Sequence, residues 1–311
     1  MSAVHARFAL PASMTILERG WLSSNNIVFV GRDGDTALVD SGYVAHAAQT
    51  LALVDTALGG LPLRRLINTH LHSDHCGGNA QLQARYACRT AIPQAEAAKV
   101  RAWDEDALSF TATAQRCERF GFDDTIAPGD TLTLGDLSWQ ALAAPGHDPH
   151  SLVFFCAREG ILISADALWE DGFGVIFPEL EGRSGFAEAG ATLDLIDSLD
   201  VRLVIPGHGA PFCDAHAALG RARARLDYLA GDPARNARNA VKVLLKFLLL
   251  ERQRIGLDSL ALMFEAIPVI RGACARFLQL SGAEAAHWAA QALVRAGAAS
   301  IDDGMLCNRD D

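Results

Sequence analysis

No two of the seven cysteines (Cys76, Cys88, Cys117, Cys156, Cys213, Cys274 and Cys307) form a Cys-x-x-Cys pair, and their number is odd. A disulfide framework is therefore not expected, and a reducing cytoplasm is the expected compartment. Long hydrophobic runs are missing too. The most apolar stretch, Val241–Leu250, is ten residues long and contains Lys242 and Lys246, against the ~20 residues a membrane span needs. It reads as a buried amphipathic helix, and no membrane partner is expected. Met1–Pro11 carries His5 and Arg7 but no apolar core, so no signal peptide is expected. Positive charge is scarce: 27 Lys and Arg stand against 37 Asp and Glu, a net charge of −10. Bulk electrostatics therefore do not mark a nucleic-acid binder. Short repeats and low-complexity segments are absent as well. What is present is a 311-residue chain, 50% apolar and 21% charged. That is the profile of a soluble globular protein with one large domain and an appendage.

Short apolar runs alternate with helical stretches. Asn26–Val30 and Thr36–Val39 read as strands flanking the polar turn Gly31–Asp35. A helix is expected from Val44 to Leu58, stopped by Gly59-Gly60, and another after Gly77-Gly78. A third is expected over Pro93–Trp103, since proline suits a helix start. Strand signals return at Thr131–Leu134, Leu137–Ala143, Leu152–Cys156, Ile161–Ser164 and Arg202–Ile205, with a helix over Phe186–Leu199. Several strands end on a polar residue: Asp40, His70, Asp166 and His208 each follow an apolar run. Sites are built where rigid strands open at a sheet edge, although any one of these could simply begin a loop.

Past Cys213 the composition shifts. Between Arg221 and Arg254 nine basic residues face three acidic ones, so this segment is +6 and the rest of the chain −16. The tail reads as mostly helical, with a helix over Ala285–Ala296 and a hairpin-like turn at Asp302-Asp303-Gly304. The expected division is a metal-binding domain over 1–230 and a C-terminal helical domain over 231–311, with the boundary near Gly231-Asp232-Pro233.

The densest chemistry lies in Thr69-His70-Leu71-His72-Ser73-Asp74-His75. Four potential ligands occupy six positions, and only a tight loop can aim all four into one space. Imidazole with carboxylate suits zinc, iron or manganese. Grouped bases are costly to desolvate unless they bind something. His147 in Pro145-Gly146-His147, Asp166 and His208 add three more candidates.

In this order, His-x-His-x-Asp-His, a His after Pro-Gly, a strand-end Asp and Gly-His-Gly, the chain resembles the metallo-β-lactamase superfamily over roughly residues 14–215. The resemblance implies an αββα sandwich with metals at one edge. It also implies that His70, His72 and His147 hold one metal, that Asp74, His75 and His208 hold a second, and that Asp166 bridges them. Asp40 matches a position that supports the ligands from behind. Two divalent ions, zinc in the first place and iron or manganese as alternatives, would then share a bridging hydroxide as the nucleophile of a hydrolase. Asp74 is the candidate catalytic residue, as a proton acceptor. No Cys precedes His208 as in the family's Cys-ligated β-lactamases, and the Asp74-His75 pair is more like glyoxalase II, lactonases and the nuclease branches. Cys76 reads as a packed thiol.

Trp169, Phe173 and Phe177, in a Gly-rich loop, and His150 are candidates for a substrate pocket. The expected substrate is a small thioester, ester or lactone. The alternative is an RNA or phosphodiester nuclease, since the basic helical tail resembles the winged-helix-like appendage of one branch of the superfamily. A mononuclear-iron enzyme of the persulfide dioxygenase kind is a further alternative, opposed by the complete second ligand set. In the hydrolase reading the residues after Pro233 serve packing, dimerisation or closure of the pocket rim, so a homodimer stays open.

Overall fold

The computed structural model describes residues 9–309, so residues 1–8, where a signal peptide was sought and where His5 lies, fall outside it. Six strands form a first sheet in sequence order: β1 Met14–Leu17, β2 Asn26–Val30, β3 Thr36–Val39, β4 Arg65–Ile67, β5 Arg89–Pro93 and β6 Asp124–Ile126. Its first three strands pair antiparallel and the rest parallel. Five more form the second sheet: β7 Thr131–Leu134, β8 Leu137–Ala143, β9 Leu152–Cys156, β10 Ile161–Ala165 and β11 Leu203–Pro206. Here only β10 and β11 run parallel, with a register shift between Ile163 and Ala165.

Strands β2, β3, β9, β10 and β11 are apolar and buried on nearly every residue, as strands covered on two sides require, whereas β8 alternates buried and exposed positions. Odd positions of β2 (Ile27, Phe29) and even positions of β9 (Leu152, Phe154) meet Trp139, Ile163 and Ile205 between the sheets. Alternate residues point outward. Val28, Leu38 and Leu66 pack under α1 (Ala47–Leu58), and Leu82 joins them from α3 (Asn79–Tyr86), which follows the single turn α2 (Ser73–Cys76). Val153, Phe155 and Leu162 pack under α7 (Phe186–Asp197) and α8 (Ala215–Ala230). The result is the expected αββα sandwich. Between these helices lie α4 (Ala97–Ala102), α5 (Phe110–Thr113) and α6 (Phe177–Leu180).

The helix expected over Pro93–Trp103 starts one residue late and opens as a tighter turn. Pro93 is both the last residue of β5, pairing with Ile126, and the cap of a 3-10 turn, Gln94–Glu96, that runs straight into α4 at Ala97.

The tail builds its own core. Helices α9 (Pro233–Arg252), α10 (Leu257–Ala266), α11 (Pro268–Ala273) and α12 (Gly282–Arg295) enclose Leu244, Leu248, Phe264, Ile270, Ala289 and Leu293. A small sheet of β12 (Arg254–Gly256), β13 (Ala299–Asp302) and β14 (Met305–Asn308) closes it, with the hairpin turn at Asp302–Gly304. Asp232 caps α9 through the Ala234 N–H, ahead of Pro233. Among the described residues no helix is long and apolar enough to cross a membrane.

Candidate metal centre

β3 ends on Asp40, whose φ of 57° is left-handed, a conformation aspartate tolerates better than most residues. There its carboxylate turns back under the next strand. Asp40 Oδ1 accepts from the Thr69 N–H at 2.9 Å, and Oδ2 accepts from Thr69 Oγ1 at 2.8 Å and His75 Nδ1 at 2.8 Å. Thr69 Oγ1 in turn meets His70 Nδ1 at 3.2 Å. One buried carboxylate therefore fixes two imidazoles, and both present Nε2 to the cavity. The ligand loop itself is tied by its backbone, with the Ser24 N–H on the Asp74 carbonyl and the Ser41 N–H on the His75 carbonyl.

The seven candidates gather into two clusters. His70, His72 and His147 form one, and Asp74, His75, Asp166 and His208 the other; in each, the ligand atoms lie within 4.8 Å of one another. In the first, His72 Nδ1 stands 3.1 Å from His70 Nε2 and 2.7 Å from His147 Nε2. His147 is turned by its Nδ1, 2.6 Å from the Val175 carbonyl, and His72 Nε2 faces Asp148 at 3.8 Å. In the second, His208 Nε2 is 3.1 Å from Asp74 Oδ2. Asp166 reaches both: Oδ2 lies 3.3 Å from His147 Nε2, and Oδ1 lies 3.3 Å from His75 Nε2 and 3.9 Å from His208 Nε2.

This arrangement suits cations better than protons. His75 Nε2 is buried without a hydrogen-bond partner, and three imidazole nitrogens converge in the first cluster. Burial holds the His70 and His72 imidazoles below their usual pKa and that of His147 down to about 4, helped for His70 and His147 by neighbouring imidazoles. For His75 burial also opposes charge, but Asp166 and Asp40 outweigh it and raise its pKa. Burial pushes Asp74 and Asp166 up, yet His208 beside Asp74, and His75 and His208 beside Asp166, keep both below the usual carboxylate range. Neutral imidazoles and ionised carboxylates are the forms that bind divalent metals. The donor set therefore fits two such ions.

Two glycines make room. A Cβ on Gly174 would stand 2.5 Å from His147 Nδ1, and one on Gly207 would collide with Asp166 Oδ1.

The family model described as the metallo-beta-lactamase superfamily matches residues 20–208. The chain belongs to the metallo-β-lactamase superfamily. Curated relatives include the hydroxyacylglutathione hydrolases of Rhodospirillum rubrum, 25% identical over 193 residues (61% of this chain, 62% of the relative), and of Rhodopseudomonas palustris, 31% identical over 154 residues (50% and 52%). The chain thus spans about half to three fifths of the length of these superfamily relatives. Among solved structures, a metallo-β-lactamase family protein from Thermus thermophilus superposes with a TM-score of 0.58 at 18% identity, covering 96% of this chain and 99% of that one. A β-lactamase domain protein from Burkholderia ambifaria gives 0.55 at 20% identity, covering 97% and 96%. Their shared fold includes the helical tail as well as the superfamily sandwich.

The pocket candidates separate. Trp169 and Phe177 line the cleft over the clusters: the Trp169 indole lies 3.3 Å from Asp166 Oδ1, and Phe177 packs edge-on to His72. Phe173 does not reach this cleft; it is buried under α8 with Leu193 and Leu226. Loop position alone could not tell these apart. His150 faces an outer hollow and contacts the buried Glu96. Sequence reasoning missed Trp21, which stacks on His208 with ring centroids 5.5 Å apart, and Val243, Leu244 and Phe247 of α9, which line the same cleft. It also missed Asn25, whose amide holds the Pro206 and Gly209 carbonyls around His208. A tryptophan or asparagine far from the His-rich motif carries no local signal; the amphipathic pattern of α9 marked burial but not against what.

Proposed function

We propose that the chain is a dinuclear metal-dependent hydrolase acting on a small thioester, ester or lactone. The observation that supports this best is the placing of Asp166, whose two oxygens reach one ligand cluster each. Site one would be His70, His72 and His147, and site two Asp74, His75 and His208, with Asp166 shared and zinc, iron or manganese as the candidate ions. A bound pair of divalent ions would lower the pKa of a water and polarise a carbonyl oxygen. The chain's own residues do the rest. Asp40 and Thr69 orient His75 and His70, and the Val175 carbonyl orients His147. Asp74 lines the cleft with 15% of its side chain exposed, against 6% for Asp166, and is the carboxylate placed to accept a proton from the attacking water. Trp21, Trp169 and Phe177 wall the cleft and limit bulk water. The break between the sandwich and the helical tail is placed at 230/231, and the seven free thiols suit a reducing cytoplasm.

The hydroxyacylglutathione thioesters named for the relatives set the reaction class to try first, not the substrate. The nuclease reading has less behind it. Arg221 is bound to Asp171, Arg223 to Asp194 and Asp197, and Arg235 lies over Tyr228. Lys246 holds the Ala298 carbonyl at 2.9 Å. Much of the basic segment thus holds the fold together.

The test is a hydrolysis screen of thioesters, lactones, esters and phosphodiesters on metal-reconstituted protein. Asp74→Asn should lose at least ~100-fold in turnover on the best substrate, the range usual for a proton acceptor and electrostatic group. Near-normal turnover by that variant would remove Asp74 from the working site.

A further inference from the structure

The cleft over the ligand clusters has a volume of about 90 Å³ and no Lys or Arg in its walls. Its apolar lining is Trp21, Trp169 and Phe177 together with Val243, Leu244 and Phe247 of α9. Phe247 is fixed from behind, edge-on to the Tyr43 ring at 5.0 Å. Val243 and Trp21 form an apolar rim, 42% and 54% exposed. At the ~10–15 Å³ of centre space that one water needs, the cleft takes several waters or a short acyl chain.

Past His72, His147 and Phe177 the cleft opens into a larger hollow of about 370 Å³. Its charged lining is Lys99 and Arg183 against Asp106, Asp148 and Glu181. Both cations are already engaged, Lys99 with the buried Glu96 at 2.8 Å and Arg183 with Glu181. Two dications at the ligand clusters would be offset by Asp40, Asp74, Asp166 and a hydroxide, so these outer residues set the sign that an approaching group meets. A cleft of one sign repels like charge.

We infer that α9 and the acidic hollow together select the substrate: the apolar cleft takes a short apolar acyl group, and the hollow admits an uncharged or cationic leaving group but disfavours an anionic one. This rests on the hydrolase reading and narrows it. The apolar walls end at the ligand clusters, which is where the carbonyl of an acyl group must lie to be cleaved. A polycarboxylate leaving group would have to displace Glu96 and Glu181 from the cations of the hollow.

The test uses butyryl thioesters of N-acetylcysteamine (neutral), thiocholine (cationic) and mercaptosuccinate (anionic), and acetyl, butyryl and octanoyl esters of the neutral thiol, with the full-length metal-loaded protein. In kcat/KM, butyryl should exceed acetyl about tenfold, the scale set by two buried methylenes, and octanoyl should fall below butyryl. The mercaptosuccinate ester should trail the neutral one at least about tenfold. Val243→Asp, at an exposed rim position, should erase the chain-length preference. Glu181→Lys should narrow the gap between anionic and neutral esters. As a readout apart from turnover, calorimetric binding of the uncleavable S-butyl thioethers of the same three thiols should follow the same charge order. Equal rates across charge and length, or preferences unmoved in both variants, would overturn the inference while leaving a hydrolase. If no thioester, ester or lactone is turned over in the wider screen, the hydrolase reading fails, and a flat calorimetric series overturns this inference separately.

Discussion

Asp40 serves as a single anchor for imidazoles of both clusters. Asp40→Asn keeps the size but removes the charge beside His75 Nδ1 and leaves an amide N–H able to face Thr69 the wrong way. Loss of such a supporting carboxylate weakens metal affinity by ~10–100-fold. Chelator competition on Asp40→Asn should show that loss at the equivalent His75 would hold, since His70 is reached only through Thr69, with far-UV circular dichroism unchanged; wild-type affinity would show that Asp40 only packs. Acid should act on the metal-free protein through the imidazoles. His70, His72 and His147 are held below their ordinary value, so they favour the folded state while neutral, and that contribution fades as pH falls from about 6.5 toward the value of about 4 at His147. His75 is raised and contributes in the opposite sense, lost as pH rises. Thermal melts of metal-free protein should drop between pH 7 and 4.5, the direction set by His70, His72 and His147. A flat profile would show that the imidazoles are not desolvated as a group. The clustering of the candidate ligands was legible at this scale because four of the seven lie within six residues and the rest follow Pro-Gly or end strands. Asp148, facing His72, and Trp21, on His208, were not: their roles depend on contacts between segments remote in sequence.

At the scale of elements, the strand assignments from Asn26 to Ile205 hold because the central strands are unbroken apolar runs and Leu137–Ala143 alternates with the period of a half-buried strand. Short pieces escaped. β5, β6, α5 and α6 have between three and five residues each, too few to establish a period. α6 starts at Phe177, and the turn before it carries Gly174 against the His147 ring and the Val175 carbonyl that orients it. Gly174→Ala should therefore act on one metal and not on the sheet. Reconstituted variant should bind one equivalent at near-wild-type affinity and the other at least ~10-fold more weakly, in line with a disturbed orienting contact. Two undisturbed sites, or a collapsed fold by circular dichroism, would contradict this.

Over the whole molecule, charge is strongly partitioned, −16 against the +6 segment, yet four of that segment's nine basic residues, Arg221, Arg223, Arg235 and Lys246, face acidic neighbours or carbonyls on the chain itself. Binding to single-stranded RNA should thus be weak at physiological salt. A nuclease using these residues would instead show a steep salt slope, flattened by ~0.7 per phosphate contact removed. Arg238 and Lys242 are the pair to neutralise, because Lys246 ties α9 to Ala298 and Arg309. Tight RNA binding that this double variant relaxes would restore the nuclease reading. The tail's own core was foreseeable from its helical pattern; that α9 turns residues toward the metal ligands was not, since nothing in a single helix's periodicity says which neighbour lies across from it. The five tryptophans are spread in a way that has optical value. Trp139 sits between the sheets, Trp288 against the tail's core and Trp103 against Phe110 and Phe120, while Trp21 and Trp169 both abut His208. The molecule therefore carries separate fluorophores for sandwich, tail, flank and site, and single Trp-to-Phe changes would let the filling of the His208 cluster be followed in real time, apart from any loosening of either core.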